Sequence, residues 1–164
     1  MTVRGEGGSV QTMRTACIVL ILLAMGCHGG SVVEGSAQTL PEPFTLELRV
    51  LAGGSRSVYY VLDADGRLRF GGGSDARIRS ATVDAGVLSQ EQRMEVWRIV
   101  LENGLLESEG RLIVDHKGTR YEFNARAGSL RNSFQSEEGD LPGLHALDHY
   151  LFEVQSKLRY GAAP

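Results

Sequence analysis

Over residues 44–50 apolar and polar side chains alternate without a break: Phe44, Leu46, Leu48 and Val50 against Thr45, Glu47 and Arg49. A period of two belongs to a strand buried on one face. A turn at Gly53-Gly54-Ser55 leads to a second strand over 58–62, rich in Tyr and Val. Asp63-Ala64-Asp65-Gly66 follows, and Asp-Gly between two apolar runs is a hairpin signal. Residues 67–70 predict a third strand burying Leu68 and Phe70; Gly71-Gly72-Gly73 breaks the pattern, and 77–83 adds a further strand or an edge. Ser89 opens a helix with Gln92 at capping-box spacing and Glu91 at the positive end of the dipole. Met94, Trp97 and Leu101 form its apolar stripe, and Gly104 stops it. Strands over 111–115, 119–126 and 130–135 come next, the first two joined by His116-Lys117-Gly118. Asp140 then caps a helix in which Leu144, Leu147, Leu151, Val154 and Leu158 recur at steps of three and four, the stripe of a helix lying on a sheet. Strand runs interleaved with two helices, and no βαβ rhythm, predict an α+β fold. Its sheet is mostly antiparallel, with about five to six strands and both helices on one face.

The N-terminal pattern is different. Residues 16–25 read ACIVLILLAM, with no charge. A helix of that length rises about 15 Å, half of what crossing a bilayer needs. It fits the apolar core of a secretory signal peptide with Arg14 as its basic flank, starting from Met1 or, more compactly, from Met13. The run ends in Leu23-Ala24-Met25-Gly26-Cys27, which resembles the lipobox of bacterial lipoproteins. That resemblance implies removal of residues 1–26, palmitate-type acylation of Cys27 as the lipid attachment, and stable anchoring by several chains. His28 stands where inner-membrane retention would use Asp, so the resemblance implies the outer membrane, facing the periplasm, in a host with two membranes. Residues 27–43 have Gly- and Pro-rich linker composition, a flexible tether with an r.m.s. reach of roughly 22 Å. Residues 44–160 are then a single α+β domain.

At 164 residues, with 42% apolar and 23% charged positions, the chain has the make-up of a globular protein with one domain. Its net charge of −3 gives no general reason to bind nucleic acid. Cys17 leaves with the signal segment and Cys27 carries lipid, so the domain has neither a disulfide nor a thiol nucleophile.

The candidate chemistry is sparse. His145-Ala146-Leu147-Asp148-His149 places two imidazoles at i, i+4 with an acid between, similar to the His-x-x-Glu-His of inverzincins but with the shorter Asp. A metal-dependent hydrolase using His145 and His149 is therefore one alternative function. Both His fall nearly opposite the leucine stripe, facing solvent or an edge, and only Glu153 lies downstream as a third ligand. The expectation is no catalytic residue, no metal and no cofactor. Asp63 and Asp65 open like a calcium loop but lack the third acid and the distal Glu. The triple Gly lacks the Lys-Ser/Thr of a phosphate loop, and no serine sits in a nucleophile elbow.

The order strands, helix, strands, helix, with Gly-Gly near the start, resembles emfourin-type proteins and related small bacterial domains. Emfourins inhibit thermolysin-like metalloproteases, so that resemblance implies a protease inhibitor as a further alternative. Ser55 after the Gly pair departs from the bulky residue expected there, and no inhibitory residue is carried over.

Opposite the apolar strand positions sit Glu47, Arg49, Arg67, Arg69, Arg120, Glu122, Arg126 and Arg131, while Glu91, Glu95, Glu102, Glu107 and Glu109 gather around the first helix. If the helices cover one face, the other is open and cationic. Arg49, Arg67, Arg69, Arg120 and Arg126 are then candidate binding residues, since guanidinium forks suit carboxylates and phosphates. The expected protein is a non-catalytic, lipid-anchored binding module of the cell envelope. Its partners are the membrane, through the anchor, and an anionic envelope component or a protein.

Overall fold

The computed structural model describes residues 39–52, 57–78, 81–110, 118–137 and 140–161. The signal segment, Cys27, the tether as far as residue 38, the Gly53-Gly54-Ser55 turn and the predicted strand over 111–115 lie outside the described residues. Six strands form one antiparallel sheet: β1 (Phe44–Leu51), β2 (Val58–Leu62), β3 (Arg67–Gly72), β4 (Val83–Val87), β5 (Arg120–Ala127) and β6 (Leu130–Glu137). Their spatial order is β4-β3-β2-β1-β5-β6. Helices α1 (Gln90–Glu102) and α2 (Pro142–Tyr160) complete an α+β fold.

One face of the sheet carries the core. Phe44, Leu46, Leu48 and Val50 of β1 join Tyr60, Leu62, Leu68, Tyr121 and Phe123 beneath Trp97, Val100, Leu144, Leu147 and Leu151 of the helices. The expected leucine stripe of α2 is this contact, with Leu158 half-buried at its end. The buried face of α1 is Val96, Trp97, Ile99 and Val100, with Met94 and Leu101 only packed at its margins. The face is wider than the predicted stripe because α1 meets two neighbours. Trp97 stands edge-on to Phe44, ring centroids 5.5 Å apart, and Asn103 sits where a side chain on Gly143 of α2 would have to go.

The local signals at α1 are realised in full. Ser89 accepts from Gln92 N–H and the Gln92 side chain accepts from Ser89 N–H, a capping box. At the other end Gly104 (φ +60°) donates to Leu101 O and Leu105 to Val100 O, both at 3.0 Å. That is a Schellman stop with Leu105 buried behind it. The α2 start differs from expectation. Asp140 is not the cap: Pro142 occupies the first turn and holds Leu141, the residue before it, extended (φ −133°, ψ 94°) as the N-cap, without a side-chain cap bond.

The stretch after β3 also departs from the pattern. The predicted strand over 77–83 is replaced by a 3-10 turn, Gly73–Arg77, and by the edge strand β4, which begins at Val83. Gly73 (φ +63°) turns the chain out of the sheet. The turn then folds over the face opposite the helices, where fully buried Ala76 packs with Tyr59 and Val61 in a second small core. Gly71 permits this closeness, since a Cβ there would lie 3.2 Å from Asp75 O. Among the described residues the outer face of the sheet is thus roofed over β2 by this turn.

Candidate functional site

All five candidate arginines project from the outer face, or from its rims, as their strand parity requires. The sequence pattern places Glu47 and Glu122 on this face with them but misses two further acids, Asp63 and Asp84. Glu122 accepts from Arg49 Nη1 at 2.7 Å and from Arg120 Nη2 at 2.9 Å, so one carboxylate joins two guanidiniums. Arg49 also lies over the Tyr59 ring, 4.5 Å from its centroid, and Tyr59 Oη donates to Glu47 at 2.6 Å. Arg69 makes a fork of two hydrogen bonds to Asp63, 2.9 and 3.0 Å. Those bonds hold its guanidinium charged beyond its ordinary range. Arg67 pairs with Asp84 across the β3–β4 ladder and lies 3.8 Å from Asp65.

The expected open cationic face is thus largely neutralised. Asp63 comes from the hairpin turn and Asp84 from β4, the strand whose position the pattern misjudged, so neither was counted with the face. The Asp63–Gly66 segment is the hairpin the sequence announced. Gly66 (φ +86°) donates to Asp63 O, and Asp65 accepts from Arg67 N–H.

Arg126 differs from the other four. Its side chain donates only to Gly128 O, at 3.3 Å, and it stands directly across the ladder from exposed Arg131. Among the described residues neither guanidinium meets a carboxylate. Like charges set opposite each other on adjacent strands repel, so this pair is the part of the face with an unmet demand for an anion. Its place in the chain matters as well: Gly128, in the β5–β6 turn, donates to Pro43 O at 3.0 Å. The pair therefore sits next to residues 39–43, the end of the segment read as a tether.

Two concavities flank these elements. One, of about 470 Å³, lies on the outer face between Glu47, Arg49, Glu122, Asn124, Ser133 and Gln135. The other, of about 430 Å³, lies on the helix side, where α2 overhangs β2 and β3. His145, Asp148 and His149 line the second. Both imidazoles are exposed, as their helical angle implied, and His149 Nδ1 is 3.7 Å from Glu153. Among the described residues no three His, Cys, Asp or Glu converge to hold a metal ion. Burial pushes the Asp148 carboxyl above its ordinary range, with the two His opposing. Burial, then the charge of Asp148, pushes the Tyr60 phenol up, so it stays neutral at physiological pH. The sequence marked His145 and His149 but not Tyr60, Asp148 and Gln155 as a group, because strand and helix positions far apart in the chain meet there.

No protein-family model matches the chain, and no curated protein matches it in sequence.

Proposed function

We propose that the protein is a lipid-anchored binding module of the cell envelope, without catalytic machinery. In this reading Cys27 carries the acyl chains, residues 27–43 tether the domain, and its place is the outer membrane, facing the periplasm, where the host has two membranes. The domain engages an anionic envelope component, a phosphate or carboxylate bearer, through Arg126 and Arg131. The observation that carries the reading is the cross-strand Arg126–Arg131 pair, which lacks an acid partner among the described residues and lies beside Pro43. A surface next to the tether's end meets the membrane's own head groups at high local concentration. Two basic residues supply about 1 kcal/mol each near an anionic surface, a weak attraction that low salt makes measurable for the free domain and that the tether's local concentration makes effective in place. Among the described residues no helix is long and apolar enough to cross a membrane; in this reading attachment rests on Cys27.

Replacement of Cys27 tests the anchor. Cys27→Ser loses palmitate label and moves from the membrane fraction to the soluble fraction of lysed cells. Label that persists in the variant, or wild type found wholly soluble, contradicts the anchor.

A further inference from the structure

The helix-side cavity lies outside the proposed anion site and has a chemistry of its own. Its floor is the inner side of the β2–β3 hairpin, where Tyr60 faces Phe70 and Val58 faces Gly72 in register. Its roof is the flank of α2 that carries His145, Asp148, Phe152 and Gln155 at helical spacing, beside the leucine stripe rather than on it.

Two features mark the cavity as more than a packing defect. Tyr60 is 1% exposed and Gln155 5%, yet neither polar side chain has a hydrogen-bond partner among the described residues, and both line the cavity. The polar tips of both reach the solvent of the cavity rather than being sealed in the core, so a hydroxyl and an amide are available there to a polar group of a ligand. Phe152 is 59% exposed at the opposite wall, a large apolar surface left to water. The opening is made by Gly72: its backbone is ordinary extended strand (φ −120°, ψ 156°) and nothing lies within 4 Å of where its Cβ would be. The backbone there does not require glycine and a Cβ would meet nothing, so a larger side chain at this position has room to enter the cavity.

The charge selects the ligand. Asp148 is the one carboxylate among the lining groups, flanked by exposed His145 and His149; Tyr60 is neutral, and Tyr60, Phe70 and Phe152 supply aromatic surface. Arg159, one turn beyond Gln155, stacks on Phe70 at 4.8 Å and occupies that ring from outside the lining. An anion entering the cavity would meet Asp148; an ammonium would meet a carboxylate and ring faces together. A volume near 430 Å³ is in the range of small-molecule sites.

We propose that this cavity binds a small organic cation, an amine with an apolar body, its ammonium on Asp148 and Tyr60 and its body between Phe70 and Phe152. This proposal is independent of the membrane reading. The probe is labelled 2-phenylethylamine, measured by equilibrium dialysis against the full chain in detergent, with detergent alone as blank. Saturable binding is expected, with 2-phenylethanol and 3-phenylpropanoate competing at least about tenfold more weakly, as loss or reversal of one buried ion pair implies. Asp148→Asn weakens the amine by a similar factor, and Gly72→Leu, which fills the cavity, removes binding while the variant still melts cooperatively. Should Gly72→Leu fail to fold, Asp148→Asn carries the test alone. No saturable amine binding, equal competition by the alcohol, tighter binding of the carboxylate, or an unchanged affinity in Asp148→Asn each overturns the proposal.

Discussion

β2 and β5 flank β1 on opposite sides, yet they are built on different plans. β5 alternates buried and accessible residues along its whole length, with Tyr121, Phe123, Ala125 and Ala127 inward and Glu122, Asn124 and Arg126 outward. β2 is buried on both sides from Tyr59 to Leu62, because the 3-10 turn covers its outer side. The outer face is consequently divided. At the β2 end its charges are used internally: Arg69 is held by Asp63, and Arg49 lies on Tyr59 while bound to Glu122. At the β5–β6 end Arg126 and Arg131 hold no acid among the described residues. Arginines that look alike in sequence thus belong to two classes, and only the second has charge to offer a partner. Exposed or partly exposed ion pairs of the first class contribute little stability each; their main effect here is to cancel the field of the face.

The largest effect that would break this division is on the second core. Tyr59→Ala costs about 3–5 kcal/mol in denaturant unfolding, comparable with Trp97→Ala in the main core, because each leaves a large buried cavity. A Tyr59→Ala variant within about 1 kcal/mol of wild type, below the cost of truncating a buried aromatic, would show that the 3-10 turn merely rests on the sheet and that β2 is an ordinary one-sided strand.

The alternation of β5 was readable because its outer residues Glu122, Asn124 and Arg126 stay accessible while their neighbours are buried. The run Val58-Tyr59-Tyr60-Val61-Leu62 was readable as a strand but not as a two-sided one. The cover comes from Ser74, Asp75 and Ala76, residues with no apolar periodicity, placed there by the backbone freedom of Gly73. β4 escaped for a related reason: of Val83, Asp84, Ala85, Gly86 and Val87 only Ala85 is buried, so no alternation exists to be seen. Helix α1, by contrast, declares both of its ends through local chemistry, and the leucines of α2 declare its buried face. Of the candidate site, the outward placement of the arginines followed from parity alone. The pairing of Arg69 and Arg67 did not, since Asp63 and Asp84 reach them from a turn and an edge strand.

A smaller effect sharpens the same contrast on the inner side of β2, where Tyr60 faces Asp148. With the Asp148 carboxyl raised by burial, the folded chain holds that proton more tightly than the unfolded one. The stability from this group is full at low pH and falls as pH rises out of the ordinary carboxylate range. Asp148→Asn stays neutral throughout and so melts higher than wild type at pH 7. The gain shrinks as pH falls into the ordinary carboxylate range and vanishes below it, where the carboxyl is protonated in both states. A variant that melts lower than wild type at pH 7 would mean that Asp148 is held by its neighbours rather than strained by burial.

The division of the outer face is tested most directly by co-sedimentation at low salt with phosphatidylglycerol vesicles and with peptidoglycan, using the full chain carrying Cys27→Ser and two charge reversals. Arg126→Glu with Arg131→Glu lowers retention on at least one of the two by about tenfold or more, as expected for inverting two basic residues at an anionic surface. Arg67→Glu with Arg120→Glu, which alters arginines already held by Asp84 and Glu122, leaves retention within about twofold, less than half a kcal/mol. Equal losses in the two variants, or a loss confined to the Arg67 and Arg120 pair with the fold intact, would contradict the account.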